Sequence, residues 1–450
     1  MRLGDLTGRR VVLLGLGADV RAALGPIMDA GPADVRLVDE AEDALSVASS
    51  LADVALVPLV VAAADAEVFV RSPGFPRYQP PLRDALARGA LMTTPLDLWL
   101  GTVGPSRTVV AITGTKGKST VTSLVGVLAA QAGLRIGVAG NLGIPVFSAG
   151  WDHEAPVVVL EVSSYQAADL HHAPDVGVLT LLSEDHLSWH GGVDRYVADK
   201  LRMLHNDGGT AGRILVPASG GGRALDALRV LESGLGARLP VEAVASPAGC
   251  DRSIPVHRLQ NAALAAAVVS GLCGEPVATA DIEAAARTTL PGRLDVCPGP
   301  GGLLCLDDAL ASNPSAVAAG LAWLRTLECP TVVLLGGQDR GVDPGPLADE
   351  ARRWPVGMLR AVALPDSGLL LAQRCGIDLL GEVSDVAAGV ALALSGLRDG
   401  GTTASVSESG GGVVILSPGA PTPAVVGNWE TRSSQFRAAL AGPGDGWQSD

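Results

Sequence analysis

The sequence has little charge and no paired cysteines. Only 18% of its 450 residues are charged. Its six cysteines (Cys250, Cys273, Cys297, Cys305, Cys329 and Cys375) include no Cys-x-x-Cys pair. That scatter excludes a disulfide framework or thiolate metal cluster and fits reduced thiols in a cytoplasmic protein. No apolar run reaches spanning length. The early stretch Val11 to Leu16 is short, contains glycine and is soon followed by Asp19 and Arg21, unlike a signal peptide. A net charge of −14 argues against a nucleic-acid partner, and any cleft for anions must gather its positive charge locally. No membrane association is expected.

What the chain does have is apolar residues (48%), 57 glycines and 30 prolines, without a low-complexity block. These suit the many turns of an α/β protein. The length argues for roughly two to four domains. Strand-like and helix-like segments alternate over the first part: Arg10 to Leu14, then Asp19 to Ala30, then Val35 to Asp39. Gly15-Leu16-Gly17 lacks the third glycine of a dinucleotide fingerprint, so a plain tight turn explains it as well as a ligand contact does. Val68 to Arg71 runs into Ser72-Pro73-Gly74, and Gly101 to Arg107 reads as a linker. From Leu294, strand candidates recur at Gly302 to Leu306, Thr331 to Leu335, Leu359 to Leu364 and Val413 to Leu416. The expected architecture is α/β in three domains. Residues 1–103 and 289–450 are Rossmann-like, and residues 104–288 form a central phosphate-loop domain around a parallel sheet.

The segment from Ala111 to Thr120, AITGTKGKST, carries the chemistry. It follows the apolar strand Thr108 to Ile112 and precedes a helical run from Val121 to Leu128. Strand, glycine turn, Lys-Ser and helix is the arrangement that wraps nucleotide phosphates. Gly114 and Gly117 let backbone N–H groups close on the anion, with Thr115, Lys116 and Thr120 in the same loop. Lys118 reaches the β- and γ-phosphates, the Ser119 hydroxyl can ligate Mg²⁺, and the helix N-terminus adds its dipole. Ile112 stands where the usual pattern has its first glycine, so this is a variant loop that binds ATP or a close relative.

Neighbouring motifs narrow the chemistry. The strand Val157 to Leu160 ends in Glu161-Val-Ser163-Ser-Tyr-Gln166, which places a carboxylate beside the loop, where it can hold Mg²⁺ or simply cap a helix. Val178 to Leu182 leads into Ser183-Glu184-Asp185-His186-Leu187-Ser188-Trp189-His190, and hard Mg²⁺ beside phosphate is favoured there over zinc. Taken alone, Lys200 in Tyr196-Val-Ala-Asp-Lys200 reads as a surface lysine.

Together, ITGTKGKST, Gly140-Asn141-Leu-Gly143, EVSSYQ, EDHLSWH and the Tyr196/Lys200 spacing resemble the Mur ligase superfamily, the ATP-dependent amide-forming enzymes of peptidoglycan precursor synthesis. The resemblance covers essentially the whole chain. It implies that Lys118 and the loop amides hold the γ-phosphate, that Ser119 and Glu161 ligate one Mg²⁺, and that His186 ligates a second. The lysine matching Lys200 is carbamylated in the family, which makes it a carboxylate-like ligand. Asn141, Ser163 and Gln166 match positions that meet the nucleotide-sugar or the loop. Asn261 fits the adenine-side asparagine. Arg293 matches an arginine that reaches the phosphates from the domain junction, and Asp308 an acid that contacts the nucleotide.

Within the superfamily, the GLG turn, Asp39, Ser72 and Gly74 resemble the branch that adds glutamate to UDP-N-acetylmuramoyl-L-alanine. The positions of Gly336-Gly-Gln-Asp-Arg340-Gly341 and Ser417-Pro-Gly-Ala-Pro-Thr422 agree with that branch. Departures from its usual members cluster. Lys116 replaces a common asparagine, and Arg340 replaces a lysine. Asp308-Ala-Leu-Ala-Ser312-Asn313 lacks a lysine at Leu310, and Ser417-Pro-Gly-Ala-Pro-Thr422 replaces the usual Ser-Pro-Ala-Cys-Ala-Ser. Ser312, Arg340, Ser417 and Thr422 match positions that hold the incoming amino acid, and an arginine fork clamps a carboxylate differently from a lysine. The set resembles a divergent group that adds L-glutamate, with a separate epimerase inverting the residue afterwards. The same reaction with D-glutamate is the alternative, and a Mur-type amide ligase for another substrate is the next. A folylpolyglutamate-type enzyme is disfavoured by the complete first domain. A non-catalytic regulator is disfavoured by the retention of Lys118, Glu161, His186 and Lys200. A monomer is expected.

Overall fold

The computed structural model describes residues 1–39, 54–251, 254–288, 290–399 and 411–441. Thr289, the first residue of the expected third domain, lies outside them. The chain divides into two compact units, Met1–Ala286 and Arg287–Asp450.

The first unit carries two parallel sheets. β1 (Arg10–Leu14), β2 (Asp34–Val38), β3 (Val54–Leu56), β4 (Val68–Arg71) and β5 (Leu91–Thr93) lie in the order β3-β2-β1-β4-β5. β6 (Thr108–Thr113), β7 (Ile136–Gly140), β8 (Val157–Glu161) and β9 (Val176–Leu179) are followed by a two-residue-per-arm hairpin, β10 (His205–Asn206) and β11 (Gly209–Thr210). β12 (Arg213–Pro217) and β13 (Val241–Val244) then complete a six-stranded sheet of order β13-β12-β9-β6-β8-β7.

These strands are apolar along their length because helices cover both faces of a parallel sheet. In β1, Val11 and Leu13 enter one core cluster while Val12 and Leu14 enter another. β6 repeats the pattern, with Val109 and Ala111 on one face and Val110 and Ile112 on the other. The carboxyl ends of both sheets' strands therefore open into turns, the usual place for ligands in such sheets.

The stretch expected as a linker, Gly101 to Arg107, is ordered structure. The helix Pro95–Thr102 runs into it and a 3-10 turn, Gly104–Ser106, follows. Trp99 and Leu100 of that helix join the core of the central sheet. A Cβ at Gly101 would collide with the Met1 carbonyl and the His172 ring, so only glycine fits. Packing rather than a free tether connects the two sheets.

In the second unit, β14 (Asp295–Cys297), β15 (Leu304–Asp307), β16 (Thr331–Gly337), β17 (Leu359–Asp366), β18 (Asp378–Glu382) and β19 (Val413–Leu416) take the order β14-β15-β19-β16-β17-β18. Only the edge strand β14 is antiparallel. Among the described residues no helix is long and apolar enough to cross a membrane.

Candidate active site

β6 delivers the chain to the phosphate loop, and two glycines shape the turn. Gly114 has φ +149° and Gly117 has φ +93°, conformations that side chains resist. A Cβ on Gly114 would strike the Thr180 hydroxyl, and one on Gly117 would lie 2.9 Å from Asn261 Oδ1. The loop therefore passes tightly between β9's exit and the Asn261 side chain. The helix Lys118–Gln131 starts directly after Gly117, and its first backbone N–H groups are the donors an anion needs.

The loop is laced to its surroundings. The Thr115 N–H donates to the Leu181 carbonyl at 2.7 Å. The Thr115 hydroxyl donates to the Ser183 carbonyl and lies 2.7 Å from Tyr196 Oη. Thr180 Oγ1 donates to the Lys116 carbonyl at 2.6 Å. Lys118 Nζ donates to the Thr115 carbonyl at 3.4 Å.

Lys200 is a surface residue by sequence alone and a buried one in the structure, at 2% exposure. Its Nζ donates to the Gly114 carbonyl at 3.0 Å. Burial lowers its pKa well below the usual lysine range. Lys118 pushes it the same way, while Asp185 and Glu161 pull it back. An amine that sheds its proton easily is the form that reacts with CO₂.

Glu161 ends β8 beside this group. Its Oε1 accepts from Asn141 Nδ2 at 2.8 Å, and its backbone carbonyl accepts from the Asn141 N–H. Oε2 is buried with no hydrogen-bond partner. A buried carboxylate oxygen left unsatisfied is costly unless a cation meets it, so the donor set fits Mg²⁺. Among the described residues no three His, Cys, Asp or Glu side chains converge on one point. A cation here would rely on Glu161, the Ser119 hydroxyl and phosphate oxygens.

The two histidines of EDHLSWH part company. His186 has φ +53° and packs on Tyr165, with ring centroids 4.8 Å apart. His190 is fully buried. Its Nδ1 lies 2.6 Å from Asp199 Oδ2 and its Nε2 3.1 Å from Ser164 Oγ. Tyr78 Oη donates to the same Asp199 oxygen. His190 is thus engaged on both nitrogens and is not available as a ligand.

At the carboxyl edge of the first sheet, Ser72 follows β4, and a Cβ on Gly17 would collide with its hydroxyl. Gly74 is the exposed tip of that turn. Ser163 and Gln166 form a reciprocal cap over a one-turn helix, and Gln166 Nε2 donates to Asp19 Oδ2 at 3.0 Å. This bond ties the first sheet's opening helix to the segment after β8. Arg71 was not visible as a site residue in the sequence. It is fully buried, pairs with Asp169 at 2.7 Å, and donates to the Pro73 and Tyr165 carbonyls. One guanidinium fixes the Ser72 turn against the segment after Glu161.

In the second unit, Asp308 follows β15. It accepts from the Ser417 hydroxyl at 2.8 Å and from the Leu294 N–H at 3.2 Å. Burial raises its pKa to about 7, against the opposing pull of Ser417, Leu294 and Arg293. A pocket at the carboxyl ends of this unit's strands is lined by Ser312 and Arg340 among others.

Residues 112–216 match the family model described as Mur ligase middle domain. The chain is 33% identical to the UDP-N-acetylmuramoyl-L-alanine–L-glutamate ligase of a Micromonospora strain, with 98% of each chain covered. It is 31% identical to the protein of the same name from Xanthomonas axonopodis pv. citri, covering 98% of this chain and 97% of that one. The chain belongs to the Mur ligase family. Its fold is shared with a MurF ligase from Thermotoga maritima solved in complex with ADP, at a TM-score of 0.55 and 16% identity over 97% of this chain and 99% of that one. It is an ATP-dependent amide ligase of peptidoglycan synthesis, using ATP as co-substrate.

Seen as a Mur ligase, the first unit gathers Gly114 to Thr120, Asn141, Glu161, Lys200 and Asn261 around one turn. Ser417 is fully buried, and its hydroxyl donates to Asp308. Thr422 is half-buried, with its hydroxyl oxygen screened from water and unpartnered.

A compositional signal for Lys200 was present in the sequence. The chain has only three lysines, Lys116, Lys118 and Lys200, and every other basic side chain is arginine.

Proposed function

We propose that this ligase joins L-glutamate to UDP-N-acetylmuramoyl-L-alanine, with ADP and phosphate as the other products. The observation that carries the reading is likeness over 98% of the chain to relatives named for that reaction. The reaction begins when the L-alanine carboxylate attacks the γ-phosphorus of ATP. The bond to ADP breaks and an acyl phosphate forms. The α-amine of glutamate then attacks the acyl carbon, phosphate leaves, and the amine loses a proton as the amide forms.

The chain's residues supply charge and position. Lys118 and the N–H groups from Gly114 to Thr120 neutralise the transferring phosphoryl group. Asn261 flanks the loop where the base of the nucleotide is read. Ser72, Gly74, Asn141, Ser163 and Gln166 hold the nucleotide-sugar. Arg293 and Asp308 match family residues that contact the nucleotide, and Ser312, Arg340 and Thr422 hold glutamate. Ser119, Glu161, His186 and a carbamylated Lys200 would hold Mg²⁺ at two sites, where the ion neutralises phosphate charge. The carbamate forms when the neutral Lys200 amine attacks CO₂ and releases a proton. A separate epimerase then converts the added residue to the D form.

An ADP-release assay with UDP-N-acetylmuramoyl-L-alanine and each glutamate enantiomer tests the assignment. Turnover with L-glutamate well above that with D-glutamate is expected. Equal or better turnover with D-glutamate would return the chain to the D-glutamate branch.

A further inference from the structure

The second unit carries an open pocket of about 420 Å³ at the carboxyl ends of β15, β19, β16 and β17. Three charged side chains line it. Asp339 and Arg340 come from the loop after β16, and Arg374 comes from the last turn of the helix Gly368–Cys375. Ser367, Leu370, Leu371 and Arg374 also line the pocket and recur at helical spacing, so one face of this helix forms a wall. Arg374 has no counterpart among the residues that the motifs single out.

Two observations point to a ligand. The Ser367 side chain is 8% exposed, and its hydroxyl oxygen is screened from water without a hydrogen-bond partner. A buried hydroxyl in that state is a cost to the fold that a bound acceptor removes. Arg325, Arg352 and Arg353 of the same unit are each paired with a carboxylate. Among the described residues Arg340 and Arg374 are not. Two unpaired guanidinium groups and one carboxylate are the charge complement of a dicarboxylic amino acid, which presents two carboxylates and one ammonium.

We propose that Arg374 determines acceptor specificity, holding one carboxylate of the incoming dicarboxylic amino acid while Arg340 holds the other and Asp339 faces the ammonium. This rests on the reading of glutamate as acceptor and adds the residue that makes both carboxylates obligatory. A pocket with a single clamp would accept an amide in place of the second carboxylate. A second fork leaves a charge unpaired when that carboxylate is missing, and sites built this way reject such analogues strongly.

The test uses the full chain with ATP and UDP-N-acetylmuramoyl-L-alanine saturating. Wild type, Arg374→Gln and Arg374→Lys are compared with L-glutamate, L-glutamine and L-glutamic acid α-amide. Arg374 is exposed, so both variants should keep the wild-type unfolding midpoint. For Arg374→Gln, the KM for L-glutamate should rise about 10- to 100-fold, with the KM values for ATP and the nucleotide-sugar unchanged. Its preference for glutamate over one of the two monoamides should shrink, which identifies the carboxylate that Arg374 holds. Arg374→Lys should fall between. An unchanged KM for L-glutamate together with unchanged discrimination against both monoamides would overturn the assignment. A wild-type chain that uses a different dicarboxylic amino acid would fail the glutamate reading alone, and the variants are then compared with that substrate. One that uses only monocarboxylic acceptors would overturn the Arg374 assignment too.

Discussion

The Nζ atom of Lys200 donates to the Gly114 carbonyl at 3.0 Å, so a buried amine lies against the turn of the phosphate loop. An ammonium group there would share space with Lys118 and lack water. A carbamate reverses the charge and suits a metal-bearing site. Lys200→Ala should therefore lose most activity, and acetate should restore part of it by supplying a carboxylate in the vacated space. Steady-state ADP release with and without acetate measures this. Full activity of the Ala variant in CO₂-depleted buffer would remove the metal-ligand role.

Lys118 begins the helix that follows Gly117 and is one of the loop's two lysines. Lys118→Ala should lower kcat by roughly 10²-fold or more, the scale expected for an electrostatic stabiliser of a transferring group. A near-normal kcat would contradict the assignment of this loop.

Local patterns made the architecture readable. Buried parallel strands such as β1, β6, β16 and β19 are unbroken apolar runs, so their positions stand out. β13 and β18 do not stand out, because they are edge strands with exposed, mixed side chains. The phosphate loop was legible because all its functional groups are contiguous. The groups that hold the rest of the site are not. Arg71 and Asp169 are 98 residues apart, and Tyr78 and Asp199 are 121 apart. Nothing in one segment announces its partner in the other. Ser417 and Asp308, joined by a hydrogen bond, are likewise 109 residues apart.

The buried Arg71–Asp169 pair should matter to stability far more than any exposed pair. Arg71→Ala leaves Asp169 with Arg77 as its remaining guanidinium partner and removes the hydrogen bonds to four carbonyls. Breaking a buried pair by removing one member costs about 3–5 kcal/mol. Arg10 forms ion pairs at 45% exposure, and Arg10→Ala should change stability by no more than about 1 kcal/mol. Urea unfolding of both variants provides the comparison, and similar losses for the two would show that Arg71 is not the anchor described.

Asp308 gives the second unit a pH-dependent stability. Its pKa is raised from 3.8 to about 7, chiefly by burial. In the unfolded chain the carboxyl ionises near 3.8, so between that pH and 7 the folded state holds a proton that the unfolded state has lost. The stability associated with this group is complete below the unfolded value and falls as pH rises through the folded one. At about 1.4 kcal/mol per pH unit, the full difference approaches roughly 4 kcal/mol, of which about 3 kcal/mol falls between pH 5 and pH 8. Asp308→Asn removes the titration while keeping the local bonds. The amide oxygen can accept from the Leu294 N–H, and the amide nitrogen can donate to Ser417. The variant should match the wild type most closely at pH 5 and gain on it steadily towards pH 8. Urea unfolding of both proteins across that range measures the gap. Parallel curves would mean that Asp308 titrates at its ordinary value, with Arg293 compensating for its burial.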